Sequence, residues 1–275
     1  MRPDALTAAM LYVPGSGPVA LELISAGEVN ETWRVARAGI DYALRLATPA
    51  APDLGLDRHW ECRVLEAVAA AGLAPALGCC APQTGVLVMR WAQGVRFTPE
   101  EPRGLAHLER IAHLVRRIQA CPLPMPAPRM SPDDWILHYA ERLDAAGEPV
   151  RRHPLVSAQA RNLDARRAAL ARLPPAQAVL CHGDLHRDNL IDGPGGLVLI
   201  DWEYAHLADP LWDLAGWSSN NDLAQAEDRQ LLEAYLGAPP PAEAELRLAI
   251  LRWFYEYLCL LWRVLTGAGG SVRET

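Results

Sequence analysis

Residues 181–204 read CHGDLHRDNLIDGPGGLVLIDWEY, a polar, acid-rich stretch bracketed by the apolar runs Ala178-Val179-Leu180 and Leu197 to Ile200. Short apolar runs on either side of a Gly-Pro-Gly-Gly turn predict short strands rather than a helix. The acids and amide between them are therefore expected in turns and at strand ends. Asp184, Asn189 and Asp201 stand five and twelve residues apart. A hairpin that turns between Asp192 and Gly196 returns Asp201 to the neighbourhood of Asn189.

The rest of the chain divides by texture. Extended runs are predicted over 20–26, 32–36 and 42–47, separated by Gly27 and by an Ala38-Gly39 turn. A helix follows over 56–71, with Trp60, Val64, Leu65 and Val68 near one face and Gly72 as its stop. Two further strands are expected over 77–80 and 86–91. This β-β-β-α-β-β order suits a small antiparallel sheet carrying one helix. After Ala92-Gln93-Gly94 the pattern becomes helical, with Leu105, Leu108, Ile111, Ala112, Val115 and Ile118 at helical spacing. The prolines at 122, 124, 126 and 128 form a stiff connector. Ser131-Pro132-Asp133-Asp134 starts the next helix, with a capping Ser, Pro at the first helical position and acids at the positive end of the dipole. Further helices are expected over 157–172, 222–236 and 242–266. The expectation is an α+β chain of two lobes, residues 1–92 and 93–275.

Composition removes several function classes. Of 275 residues, 51% are hydrophobic, too many for a chain that stays disordered. The net charge of −7 argues against nucleic acid as the partner. No apolar run approaches the roughly 18 residues of a membrane span. The opening MRPDALTAAML has one basic residue and a short apolar stretch that ends at Pro14, so neither a signal peptide nor a membrane is expected and the cytoplasm is the expected compartment. The six cysteines form no CxxC pair and read as free thiols. His182, Asp184, His186 and Asp188 alternate as in a metallohydrolase, but zinc needs further ligands, and the histidines at 59, 107, 113, 138, 153 and 206 form no motif. His182 reads as a residue that packs the loop.

Asp, Asn and Asp at this spacing suit phosphoryl transfer. The transferred group carries dense negative charge, so magnesium is held there by hard oxygen ligands, commonly one or two carboxylates and the substrate phosphates. A separate carboxylate takes the proton of the attacking hydroxyl. HGDLHRDN followed by LIDWEYA resembles the catalytic loop and metal-binding segment of the aminoglycoside phosphotransferase and choline kinase superfamily, small-molecule kinases with a protein-kinase-like fold. The resemblance implies that Asp184 is the catalytic base and that Asn189 and Asp201 bind Mg2+. It extends upstream. Ser25-Ala26-Gly27-Glu28-Val29-Asn30 resembles the turn that covers the ATP phosphates, which implicates Gly27 and Asn30. Arg45 stands at the family's phosphate-binding cation and Glu61 at that cation's carboxylate partner, with Glu66 as a rival on the same helix. Val88-Met89-Arg90-Trp91 resembles the hinge that contacts adenine, which implicates Met89 and Trp91. In Asp209-Pro210-Leu211-Trp212-Asp213-Leu214-Ala215, the resemblance makes Asp213 the brace of the catalytic loop. Two departures stand out: most of the superfamily carries Lys where this chain has Arg45, and the phosphate turn holds a single glycine.

The implied activity is an ATP-dependent kinase acting on the hydroxyl of a small alcohol, with no nucleic-acid or membrane partner and a monomer or homodimer as the working form. Ten of the eighteen aromatic residues lie after position 200. Trp253 and Tyr257 share a helix face, while Phe254 and Tyr255 point elsewhere. A ring facing a quaternary ammonium contributes roughly 0.5–2 kcal/mol. Trp253 and Tyr257, with Trp202, Glu203 and Tyr204 beside the metal ligand, are therefore the candidate acceptor site for a cationic alcohol of the choline or ethanolamine type. Thiamine and then an aminoglycoside are the next acceptors. A non-catalytic nucleotide-binding protein and a metallohydrolase are the readings from other classes.

Overall fold

Asp4 opens the first element. Its carboxylate accepts the Thr7 N–H at 2.9 Å and so caps helix α1 (Ala5–Tyr12), a helix absent from the sequence expectation. The far end of α1 is closed from outside: Arg37 donates to the carbonyls of Ala9, Met10 and Val13, satisfying orphan acceptors at the helix's negative end. The structure is a computed structural model and describes residues 3–27, 29–48, 55–123, 126–145 and 153–266. Glu28 of the phosphate turn and Pro124 of the proline connector lie outside the described residues.

Strands β1 (Val19–Ala26), β2 (Asn30–Arg37) and β3 (Ile40–Ala47) precede helix α2 (Arg58–Ala70), and β4 (Leu77–Ala81) and β5 (Val86–Arg90) follow it. Helices α3 (Leu105–Gln119), α4 (Pro132–Ala145), α5 (Pro154–Ala160) and α6 (Leu163–Ala171) come next. Then come β6 (Val179–Cys181), β7 (Leu190–Gly193), β8 (Gly196–Leu199) and β9 (His206–Ala208), and last α7 (Trp212–Asn220), α8 (Gln225–Leu236) and α9 (Ala242–Thr266). These elements pack as two units. One takes the chain as far as Thr98 together with 120–127 and 187–205; the other takes 99–119, 128–186 and the chain from His206 on.

In the first unit, five strands form an antiparallel sheet in the order β1-β2-β3-β5-β4. Ala38 and Gly39 both have positive φ, the backbone that a two-residue hairpin between twisted strands requires. Val35, Tyr42, Leu44, Leu46, Val86 and Val88 form a core with Ala8 and Ala9 of α1 and with Val13, which caps it. Helix α2 starts at Asp57, whose carboxylate accepts the N–H groups of His59 and Trp60, and it buries Trp60, Glu61, Val64, Leu65 and Val68 along one stripe. Cys62 of α2 and Cys80 of β4 are joined by a disulfide, which corrects the expectation of six free thiols. A helix and a strand packed together bring the two sulfurs into range without any sequence spacing that announces it. The β7–β8 hairpin belongs to this unit, with Leu190 opposite Leu199, and the Ile200 N–H continues it to the Asn189 carbonyl at 2.9 Å. Asp192 also bridges Val95 in both directions, at 3.0 and 2.8 Å. A Cβ on Gly94 or Gly193 would collide with the backbone facing it, so the crossing of these strands requires both glycines.

The second unit is helical apart from the short β6–β9 pair, in which Cys181 faces His206. Ser131 and Asp134 cap α4 reciprocally, as the sequence predicts. Helices α4 and α7 pack on α9, and α8 packs on α3. The single helix expected over 157–172 is two, α5 and α6, because the chain tightens at Gln159 to Asn162 with a 2.9 Å turn bond. The helix expected from 222 begins at Gln225, since Asp222 is left-handed. Among the described residues no helix is long and apolar enough to cross a membrane.

Candidate active site

The loop after β6 is held from below by one carboxylate. Asp213, in the first turn of α7 and 1% exposed, accepts the His182 N–H on one oxygen at 2.8 Å and the Gly183 N–H on the other at 3.0 Å. Burial pushes its carboxyl up to about 6, the two N–H bonds oppose this, and the charge of Asp184 adds to it. Gly183 turns through a positive φ of 83° to present Asp184. One Asp184 oxygen accepts from the Tyr255 hydroxyl at 3.1 Å, and the other lies 3.3 Å from His186 Nε2. The Asp184 N–H donates to His182 Nδ1 at 3.3 Å. Burial is the largest influence on this carboxyl and drives it up, but His186, His182 and Tyr255 together hold it below the ordinary range. Asp184 is thereby kept ionised, as a proton acceptor must be.

The first unit holds a second charged cluster. Arg45 lies on β3, the central strand of the sheet, opposite Thr32 of β2 and Leu87 of β5. Its guanidinium pairs with Glu61, reaches Asp201 at 2.7 Å and stands 3.7 Å from Glu203. Glu61 rather than Glu66 is the partner, because Glu61 shares the buried stripe of α2 with Val64, Leu65 and Val68. Burial opposes the Arg45 charge, and the three carboxylates more than offset it. The same balance, with Arg45 and Arg58 as the cations, holds Glu61 low. Arg58, in the first turn of α2, was not singled out in the sequence. It donates to Glu61 and Glu203, both at 2.8 Å, and to Asn30 Oδ1 at 2.9 Å, while Asn30 Nδ2 donates to Glu203 at 2.8 Å. The signal was the spacing of Arg58 and Glu61, three apart on one helix face.

Asn189 and Asp201 stand at the root of the β7–β8 hairpin, next to the bond from the Ile200 N–H to the Asn189 carbonyl, and belong to the first unit; Asp184 belongs to the second. Asp201 has a φ of 65°, a strained left-handed conformation of the kind found where function over-determines the backbone. Oxygens of Glu61, Asp201 and Glu203 lie within 4.8 Å of one another. Hard oxygen donors of this kind fit magnesium or manganese. Asp201, 37% exposed at its side chain against 3% and 6% for Glu61 and Glu203, is the accessible member of the three.

The other expected residues fall as follows. Gly27 closes its turn with a 2.9 Å bond to the Asn30 carbonyl. Met89 is buried in β5 opposite Ala43, and Trp91 donates its N–H to Asp41 at 3.0 Å with the Arg34 guanidinium over its ring. Trp202 has no exposed surface and gives its indole N–H to the Leu199 carbonyl, so its ring packs in the core. Glu203 is committed to Arg58 and Asn30, and Tyr204 is half-buried. On α9, Tyr257 stacks on Trp253 with 5.4 Å between centroids, and Arg166 of α6 places its guanidinium over the same indole. The cation that the sequence assigned to a substrate is thus met, at Trp253, by the protein's own arginine. Tyr255, set aside in the sequence because it lies off the Trp253 face, is the α9 ring that reaches Asp184.

A five-stranded antiparallel sheet with one helix, followed by a mainly helical part that carries an HGD loop, is the protein-kinase-like fold of small-molecule phosphotransferases. A family model described as the phosphotransferase enzyme family matches residues 20–249, and the chain belongs to that family. The thiamine kinase of Escherichia coli is 38% identical over 91 residues, which are 33% of this chain and 30% of that protein. The matched stretch therefore spans less than a third of that relative's length. Among solved structures, a choline/ethanolamine kinase family protein from Mesorhizobium loti superposes with a TM-score of 0.75 at 26% identity, covering 98% of this chain and 88% of the other. The choline kinase LicA from Streptococcus pneumoniae gives 0.77 at 22% identity, covering 97% and 90%.

Proposed function

We propose that this chain transfers the γ-phosphoryl group of ATP to the hydroxyl of a small, positively charged alcohol of the choline or ethanolamine type, with magnesium as the required cation. The observation that carries the reading is Asp184: a half-buried carboxylate held low by three neighbours, on a loop braced through two main-chain N–H groups, in a member of a phosphotransferase family. In this reading Asp184 orients the acceptor hydroxyl and takes its proton as the phosphoryl group leaves ATP. Arg45, aimed by Glu61, binds phosphate oxygens, and the turn from Gly27 to Asn30 covers them. Met89 and Trp91 meet the adenine. Asn189 and Asp201 hold the metal ion, which when bound neutralises phosphate charge. Residues 1–92 thus carry the nucleotide, and 93–275 carry the catalytic loop and the acceptor. Of the aromatic residues proposed for the acceptor, Tyr204 keeps partial exposure, while the Trp253 ring already carries Arg166, and Tyr204 is the one assigned to meet it.

Thiamine is the second acceptor, favoured by the sequence match to the Escherichia coli thiamine kinase. The deciding experiment supplies ATP and magnesium with choline, ethanolamine, thiamine, a homoserine-like amino alcohol and an aminoglycoside, and scores phosphorylated product. Product from choline or ethanolamine supports the first reading, and product from thiamine alone replaces it with the second. ATP consumption with none of them, or tightly held zinc in the purified protein, removes both.

A further inference from the structure

The hydrogen bonds around Asp184 have a direction that begins three groups away. The Leu185 carbonyl accepts a bond at 3.3 Å from the Asn220 side chain. A carbonyl only accepts, so the end of the Asn220 side chain facing it is the NH2 group. That same NH2 lies 2.9 Å from the Tyr255 hydroxyl and donates to it. The hydroxyl has one proton, and with Asn220 donating, that proton is directed to Asp184 Oδ1 at 3.1 Å. Asp184 must receive this bond as an acceptor, which its ionised form does best.

The ring that carries this hydroxyl is clamped. Tyr255 is buried, with the Trp212 ring edge-on at 5.7 Å. One turn further along the helix that carries Trp212 is Gly216, inside α7, where a Cβ would stand only 3.0 Å from Tyr255 Cε2. Glycine in a helix interior is less stable than alanine by about 1 kcal/mol. At this position the missing Cβ is what lets the ring lie against the helix.

We infer that Tyr255, with its proton directed by Asn220 and its ring seated on Gly216, is the positioning residue that fixes the Asp184 carboxylate for the acceptor hydroxyl. The inference rests on the kinase reading above, since it assigns Tyr255 a part in orienting the base that reading names. The titratable groups around Asp184 are His182 and His186 of its own loop, Asp213 of α7, and Tyr255 and Cys259 of α9. Tyr255→Phe removes the hydroxyl alone and leaves the others in place.

The test measures Asp184 directly. The titration of its carboxyl carbon is followed by NMR in aspartate-labelled protein, with the signal assigned by its loss in Asp184→Asn. Tyr255→Phe is expected to move this titration to higher pH. It is also expected to lower kcat about tenfold to a hundredfold, the range for one hydrogen bond to a charged group, with KM for ATP unchanged. Turnover is read with ATP and each of choline, ethanolamine and thiamine. Gly216→Ala, which keeps the hydroxyl but displaces the ring, is expected to shift both readouts in the same direction by less, even where helix propensity raises the melting temperature. A residue that merely packs would alter melting but not the Asp184 titration. If Asp184→Asn is inactive while Tyr255→Phe and Gly216→Ala keep the parent titration and kcat, the inference is overturned and the kinase reading stands. If Asp184→Asn turns over normally, both are overturned.

Discussion

Glu61, on the buried stripe of α2, is the counter-charge of Arg45 on β3, the central strand of the sheet. The pair joins helix to sheet inside the first unit, and Arg45 divides its guanidinium between Glu61 and Asp201. One nitrogen serves each carboxylate. That division is what a planar fork can do and a point charge cannot.

Arg45→Lys is therefore expected to be disruptive despite its conserved charge. A single ammonium on a different stem satisfies one of the two carboxylates and leaves the other without its charged hydrogen bond. The cost is about 1.5–3 kcal/mol. Denaturant unfolding at neutral pH measures it, and a midpoint equal to the parent's would show that the fork is dispensable.

Asp201→Ala separates two roles. In calorimetric titrations with magnesium present, ATP binding is expected to weaken; without magnesium, it is expected to equal or exceed that of the parent, because Arg45 is released from its 2.7 Å bond to Asp201. Equal loss under both conditions would make Asp201 a structural residue.

Asp184→Asn is expected to keep the fold and ATP affinity while lowering turnover by about 10²–10⁴-fold, the span for a lost general base. Single-turnover phosphoryl transfer to whichever alcohol the acceptor panel identifies is the measurement. Near-normal turnover removes Asp184 from the chemistry.

Asp213 supplies a pH dependence whose sign follows from its environment. Its carboxyl is raised from 3.8 to about 6 in the fold. Between those values the folded chain binds a proton that the unfolded chain releases, so the linked stability is complete below the lower value and is lost as pH rises through about 6. Asparagine at 213 removes the titration. The parent is therefore expected to lose stability relative to Asp213→Asn between pH 4 and 7. Melting temperatures of both proteins across that range give the comparison, and parallel curves would place the Asp213 titration elsewhere.

Much of the fold was legible because it is local. The alternation and turn residues of 20–47 give the three strands and the Ala38-Gly39 hairpin, and the stripe of Trp60, Val64, Leu65 and Val68 gives α2. Helix α1 was not legible, since a short run of small apolar residues has no period of its own and is stabilised by Asp4 at one end and Arg37 at the other. The break between α5 and α6 and the Cys62–Cys80 bond were equally hidden.

By itself the sequence supplied the candidate groups: Asp184, Asn189 and Asp201 by type and spacing within a family-like string, and Arg45 by the resemblance alone. Covalent order sets these, and the β7–β8 register follows from a turn a few residues long. Tertiary structure alone decided the partners. Glu61 rather than Glu66 meets Arg45, Arg58 joins Asn30 to Glu203, and Tyr255 rather than Tyr257 reaches Asp184. Hydrogen bonds and ion pairs act over about 3 Å, so their partners depend on which faces of distant segments are packed together, and no spacing along the chain encodes that distance.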